Sequence, residues 1–183
     1  MSALHLLHRL ILALGLLAVA LPAAAQATGA DASIVDAREA ARKRDRNRLL
    51  AARTAATAAQ HPLLPWVEYW ELNSRLAEAR IDEVEAFYAR WAGSYVEDRL
   101  RNDWLLQLGK RREWSAFARD FTRFRMNDDR EVTCYWLFTE HLAGRDVQAS
   151  AREAWWAQRD NDDGCNLLAT AMVDAKRDRK SVV

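Results

Sequence analysis

The sequence predicts an all-α chain, an α-solenoid of stacked antiparallel helix hairpins preceded by a signal peptide. Three observations predict it. Apolar residues recur every three to four positions nearly everywhere after residue 34, no segment alternates as a strand does, and turn or cap signals interrupt the pattern at regular intervals. The division that follows is a leader over 1–27, a helical-repeat domain over 28–177 and a short tail over 178–183.

The leader comes first. Arg9, with His5 and His8, gives a modestly positive start, and the run from Leu10 to Leu21 is apolar. That run is shorter than the roughly 20 apolar residues that span a bilayer. Pro22 ends it, and Ala23, Ala24 and Ala25 offer an A-x-A cleavage site before Gln26, with Ala25-Gln26-Ala27 as a second choice. Export to an oxidising space with no stable membrane anchor is the expectation, and an uncleaved anchor is the alternative. No cysteine lies near the cleavage site, which argues against a lipoprotein.

The first helix is expected over about Ala32 to Ala59. It sets Ile34, Ala37 and Ala41 on one side and crowds Arg42, Lys43, Arg44, Arg46 and Arg48 together. A solvated basic face is one account of that crowding; a contact for acidic groups on a partner domain is the other. Next, Val84, Phe87, Tyr88 and Trp91 form a stripe, followed by Val96, Leu100, Trp104 and Leu108. Trp114, Phe117, Phe121 and Phe124 continue, then Tyr135, Phe138 and Leu142, then Val147, Ala151 and Trp155, and finally Cys165, Leu168 and Met172. The breaks are His61-Pro62, Gly93-Ser94, Gly109-Lys110, Asn127-Asp128-Asp129, Gly144-Arg145 and Asn161-Asp162-Asp163-Gly164. Roughly eight helices follow from these signals. They group with a loose period of about 31 to 35 residues, that of tetratricopeptide-like superhelices, in which each hairpin buries its apolar face against the next. A compact helical bundle is the alternative arrangement.

Charge and composition exclude several roles. With 27 basic and 26 acidic side chains the net charge is +1, so no field draws the chain to nucleic acid. Cys134 and Cys165 are an even pair in an exported chain, which favours a disulfide over two buried thiols. No histidine or third cysteine stands at ligand spacing, so a metal site is not expected, and no cofactor motif occurs. The eight tryptophans, which include the adjacent Trp155 and Trp156, fall mostly on the apolar stripes and read as core. Stacking on sugar faces is the other use of such rings. The 28–177 region has only His61 and His141, each at a turn or helix end, where a helix-end or surface role is expected rather than catalysis. Glu68, Glu71, Glu83 and Glu85 are carboxylates without a promised cleft, and a glycosidase acid needs one. The expected catalytic, cofactor and metal residues are therefore none.

The stretch Pro62-Leu63-Leu64-Pro65-Trp66-Val67-Glu68-Tyr69 resembles the N-terminal helical region of the soluble lytic murein transglycosylases. Arg99, the Trp104-Leu105 helix, Arg111-Arg112-Glu113-Trp114, and a cysteine on each of two later helices follow in a similar order, so the likeness runs from about Ala32 to Ala175. The resemblance implies a superhelical domain with a Cys134–Cys165 bridge, located in the periplasm. It also implies a separate lysozyme-like domain whose glutamate cleaves the MurNAc-GlcNAc β-1,4 bond of peptidoglycan and leaves 1,6-anhydro-MurNAc ends. Partners implied are glycan strands, met through the complete enzyme, and the chain's own C-terminal catalytic domain. Neither the family's E-S dipeptide nor its G-L-M-Q motif occurs here, so no catalytic residue carries over and the chain alone is expected to be inactive. Asp178-Arg179-Lys180-Ser181-Val182-Val183 matches the translation of a sequencing-library adapter, which suggests a truncated frame; a genuine basic tail is the alternative. A self-contained periplasmic repeat scaffold for protein binding is the competing function.

Overall fold

The computed structural model describes residues 23–181, with side chains from 29 to 174. The expected leader falls mostly outside them, as do the side chains of the 178–183 tail. Among the described residues the chain is all-α, with no strand. The helices are α1 (Ala23–Lys43), α2 (Arg46–Ala58), α3 (Leu64–Ser74), α4 (Ile81–Arg90), α5 (Tyr95–Arg111), α6 (Trp114–Phe121), α7 (Arg130–Leu142), α8 (Gln148–Trp156) and α9 (Asp163–Ser181), with a 3-10 turn at Leu76–Glu78. None of the described helices is long and apolar enough to cross a membrane. Contacts divide the chain into two compact units, Met1–Val67 and Glu68–Val183.

The first unit corrects the expectation of one helix over Ala32 to Ala59. The chain reverses at Arg44, which takes a left-handed φ of 55°, and Asp45 then caps α2 by accepting the amide of Arg48 at 3.1 Å. α1 and α2 consequently pack on each other as a hairpin. Small residues let them approach: Ala37, Ala40, Ala52 and Ala56 are buried beside Ile34 and Leu49. Periodicity ran through the corner because both helices keep alanines in phase, and the reversal itself carries neither glycine nor proline. Of the crowded cations, Arg42 and Lys43 pair with Glu39 and Arg48 pairs with Asp36, on an exposed surface.

In the second unit the expected stripes are buried on α4 through Val84, Phe87 and Tyr88, and on α5 through Val96, Leu100, Trp104 and Leu108. α5 packs on α6 and α7, α7 packs on α6, α8 and α9, and α8 packs on α9. Rings close the α6–α7 contact: Phe121 stacks on Trp136 with centroids 4.4 Å apart, and Trp114 lies 5.0 Å from Phe138. Helix α6 stops at Phe121, one turn short of the expected stripe, yet Phe124 in the following loop still reaches the core. Leu142 and Trp155, placed on stripes by their spacing, are exposed instead.

Gly109-Lys110 is not a turn. It lies inside α5, and the chain reverses later at Arg112, whose φ is 61°. Gly109 is required there for a different reason, since a Cβ on it would enter the Tyr135 ring of α7. Gly164 likewise lies inside α9, where a Cβ would come within 2.6 Å of the Glu131 carbonyl oxygen. These two glycines let α5 and α9 approach α7 closely around Tyr135. Gly93 and Gly144, each at φ 79°, are true turn glycines.

Cys134 on α7 and Cys165 on α9 form a disulfide with Cα atoms 4.9 Å apart. Arg130 fixes the intervening turn. Its guanidinium donates to Asp162 at 3.0 Å and to the Ala157 and Asp160 carbonyls, while Asp162 accepts the Cys165 amide at 2.8 Å and so caps α9. The end of α8 and the start of α9 are thereby tied to one side chain.

Two stability outcomes are expected. Reducing the disulfide frees a 31-residue separation and should lower unfolding free energy by about 3–4 kcal/mol in urea titrations, the chain-entropy value for such a loop. Gly109→Ala gains about 1 kcal/mol of helix propensity but overpacks against Tyr135 by about 1–3 kcal/mol, so a net loss is expected in the same assay.

Candidate functional site

The carboxylates singled out in the sequence are each engaged in ion pairs or hydrogen bonds. Glu68, buried on α3, accepts from Arg90 at 2.6 Å and from the Trp91 indole at 2.9 Å. Glu71 and Glu83 are brought together on Arg75, at 2.8 and 2.6 Å. The Arg80 amide and then Arg75 hold the Glu83 carboxyl below its ordinary range. Glu85 pairs with Arg123 at 2.9 Å. A glycosidase acid must carry a proton at neutral pH, and the lowered Glu83 carboxyl favours the opposite state.

The histidines are also tied into structure. His61 accepts the Leu63 amide on Nδ1 at 3.0 Å, which leaves Nε2 to donate to Asp31 at 2.9 Å. His141 stands in the last turn of α7, where a cation suits the helix dipole.

Tyr69, the last residue of the Pro motif, connects α3 to α5. Its hydroxyl donates to Asp103 at 2.6 Å and accepts from Asn73 at 3.3 Å and Arg99 at 3.4 Å. Burial, and then the Asp103 carboxylate, push the phenol up to about 12. Pro65 occupies the first turn of α3, where its missing N–H leaves no helix bond unmade. The motif therefore works as a clamp: it starts a helix and sets Glu68 and Tyr69 to bind the helices that follow.

The densest polar group is one that sequence reasoning missed. Arg101, on α5, is 1 % exposed. Its guanidinium donates to Glu97 and to Asp120, and its Cζ lies 3.9 Å from the Tyr88 ring centroid. Asp98, within 3.8 Å of the Arg101 Nε, accepts the backbone amides of Arg125 at 3.1 Å and Met126 at 2.7 Å, satisfying the irregular chain after α6. Burial raises Glu97, but the Gly93 amide and Arg101 outweigh it, and the carboxyl ends below its ordinary value. For Asp120 burial wins, and the carboxyl sits above its ordinary value despite Arg101, Tyr88 and Arg123. The available signal was the placement of Glu97, Asp98 and Arg101 one turn apart beside the Val96–Leu100 stripe, where a solvated face has no place.

Glu131 is the other carboxyl raised by burial. The Tyr135 hydroxyl donates to it at 3.2 Å. It lines neither of two hollows beside α8 and α9. The first, of about 370 Å³ between α8 and α9, has the disulfide, Ala151, Leu168 and Met172 at its base and Gln148 and Arg152 beside them. Trp155 separates it from a second hollow of about 530 Å³ bordered by Ala169, Thr170, Val173 and Asp174. Both adjacent tryptophans are open to solvent, Trp155 at 42 % and Trp156 at 78 %, whereas the other six are buried or half-buried. A partly apolar concavity with a cation and an amide at its edge suits binding. Cys134, Cys165 and Asp162 converge nearby with metal-like spacing, but both thiols are consumed by the disulfide.

Replacing Arg101 by Leu strands Glu97, Asp98 and Asp120 without their shared cation and should cost about 3–5 kcal/mol at pH 7. Stranded carboxylates bind protons more readily when folded than unfolded, so the loss should shrink as pH falls from 7 towards 4. Urea titrations of both proteins across that range measure it. Compared with known protein families, with curated proteins and with solved structures, the chain gives no match.

Proposed function

We propose that this chain is the helical scaffold of a periplasmic lytic transglycosylase, the part that frames or positions glycan strands while a separate lysozyme-like domain of the same protein cleaves them. The observation that carries the reading is the union of the Pro motif with the disulfide. Glu68 and Tyr69 are tied to Arg90, Trp91, Asp103 and Arg99, and Cys134 is joined to Cys165. Of these, Glu68, Tyr69, Arg99, Cys134 and Cys165 also carry the sequence resemblance. The packing order α5, α6, α7, α8, α9, in which each helix meets its predecessor and α5, α7 and α9 follow one another, supports a solenoid of stacked hairpins. In that enzyme a glutamate of the catalytic domain protonates the glycosidic oxygen and then takes the proton of the muramoyl 6-hydroxyl, closing the 1,6-anhydro ring without water. Glu68, Glu71, Glu83 and Glu85 serve architecture instead.

A stand-alone scaffold for protein binding is the second reading, favoured by the exposed Trp155 and Trp156. Genomic DNA distinguishes the two. A frame open for several hundred codons past codon 177, with an E-S pair inside it, is expected from the enzyme; a stop codon near 177 supports the scaffold. On a peptidoglycan zymogram the 183-residue polypeptide should leave no cleared zone, and clearing would overturn the assignment of the chemistry to a separate domain.

A further inference from the structure

Three contacts join the start of α7 to the start of α9, and one of them is covalent. Arg130 meets Asp162 with guanidinium and carboxylate 2.9 Å apart. Next, Gly164 lies so close to the Glu131 carbonyl that no Cβ would fit between them. Last comes the disulfide of Cys134 with Cys165. The contacts step along both segments in the same direction, 130 with 162, 131 with 164 and 134 with 165, so the ion pair and the disulfide enforce one register.

Arg130 holds that register by bonds in which the S–S bond takes no part. Its Nε donates to Asp162 at 3.0 Å, and its other nitrogens reach the Ala157 and Asp160 carbonyls at 3.2 and 3.3 Å. Its own carbonyl oxygen lies 3.9 Å from the Cys165 sulfur, where it can accept from the thiol once the disulfide is reduced. Asp162 accepts the Cys165 amide at 2.8 Å, and its carboxylate comes within 4.8 Å of both sulfurs. The two side chains are 30 % and 10 % exposed, so water competes weakly for the pair.

We propose that Arg130 and Asp162 are the positioning residues of the Cys134–Cys165 redox couple: they keep the two thiols in register in the reduced, folded chain, and so make the disulfide quick to re-form and resistant to reduction. Re-forming it consumes one molecule of a small disulfide such as glutathione disulfide. The two thiols give up two protons and two electrons, the small disulfide's S–S bond breaks, and two glutathione thiols leave. The equilibrium constant of that exchange is the effective concentration of one cysteine at the other, which prior ordering raises. Linkage makes the effect mutual, since the disulfide must strengthen the ion pair by the factor that the ion pair strengthens the disulfide. The inference rests on this cluster and not on a role in glycan cleavage.

Equilibrating the purified 183-residue chain in glutathione buffers of graded ratio, then alkylating the free thiols and weighing the products, measures the effective concentration. Arg130→Met and Asp162→Asn should each lower it at least about tenfold. Val84→Ala, a buried position on α4, should lower the urea midpoint and leave the effective concentration unchanged. Circular dichroism in the same buffers checks that each reduced variant is folded. Should Arg130→Met fail that check, Arg130→Lys replaces it, because one ammonium cannot reach Asp162 and both carbonyls together, and a smaller fall is expected. An arginine variant that is folded and stays within about twofold of the parent chain overturns the proposal. So does a fall with Val84→Ala as large as that with Arg130→Met, which would make the effect one of overall stability. Opposite shifts for the Arg130 and Asp162 variants overturn it too, because removing a cation and removing an anion act oppositely on a thiolate, whereas loss of register lowers both.

Discussion

The second unit depends on an arginine that water does not reach. Moving a guanidinium out of water costs several kcal/mol, and only close, well-aimed acceptors offset that cost. Arg101 finds them on two elements, Glu97 one turn back on α5 and Asp120 near the end of α6. The ion pair thus fixes the angle between α5 and α6, because neither carboxylate can withdraw without leaving a charge buried and unpaired. Asp98 extends the same constraint to the loop after α6 by accepting two backbone amides. Asn102, one helical turn further along, donates to Asp129, and Asp129 caps α7 through the Val132 amide. One stretch of α5, residues 97–102, therefore sets α6, the following loop and the start of α7.

A second anchor holds the other end of the unit. Arg130 in the first turn of α7 collects the end of α8 and the cap of α9, and the disulfide joins α7 to α9 four residues further along α7. Gly109 and Gly164 leave α7 room for Tyr135 and for its own backbone, so α5 and α9 approach it more closely than any side chain would permit. The unit is built outward from α7. The disulfide and the Arg130 ties join it to α9, and ring contacts at Trp136 and Phe138 join it to α6.

The helical class was legible because burial leaves a period. Val84, Phe87 and Tyr88 lie on one face for the same reason that they lie three and four residues apart, and Ser94 and Asp129 announce helix starts through their short oxygen-bearing side chains. What misled was glycine and its absence. A glycine inside a helix that admits a neighbouring ring looks the same in sequence as a glycine in a turn, which is why Gly109 read as a break. The Arg44 reversal has no breaker residue and read as continuous helix. The buried charge cluster was hidden for a related reason. Pattern reasoning assigns charged residues to solvent, and only contacts between residues 19 and 27 positions apart show that Arg101 meets Asp120 and that Asp98 accepts the Arg125 amide.

The same distinction bears on function. A carboxyl that donates a proton to a glycosidic oxygen needs burial to raise its pKa together with an open path to substrate. Here those two conditions are separated in space. Burial raises Asp120 and Glu131, but Asp120 is committed to Arg101, and Glu131 borders neither hollow. In the two concavities beside α8 and α9 the polar groups are an arginine, an amide, a threonine and an exposed aspartate. The acids of the unit named above hold helices together, which is why none of them combines burial with an open path.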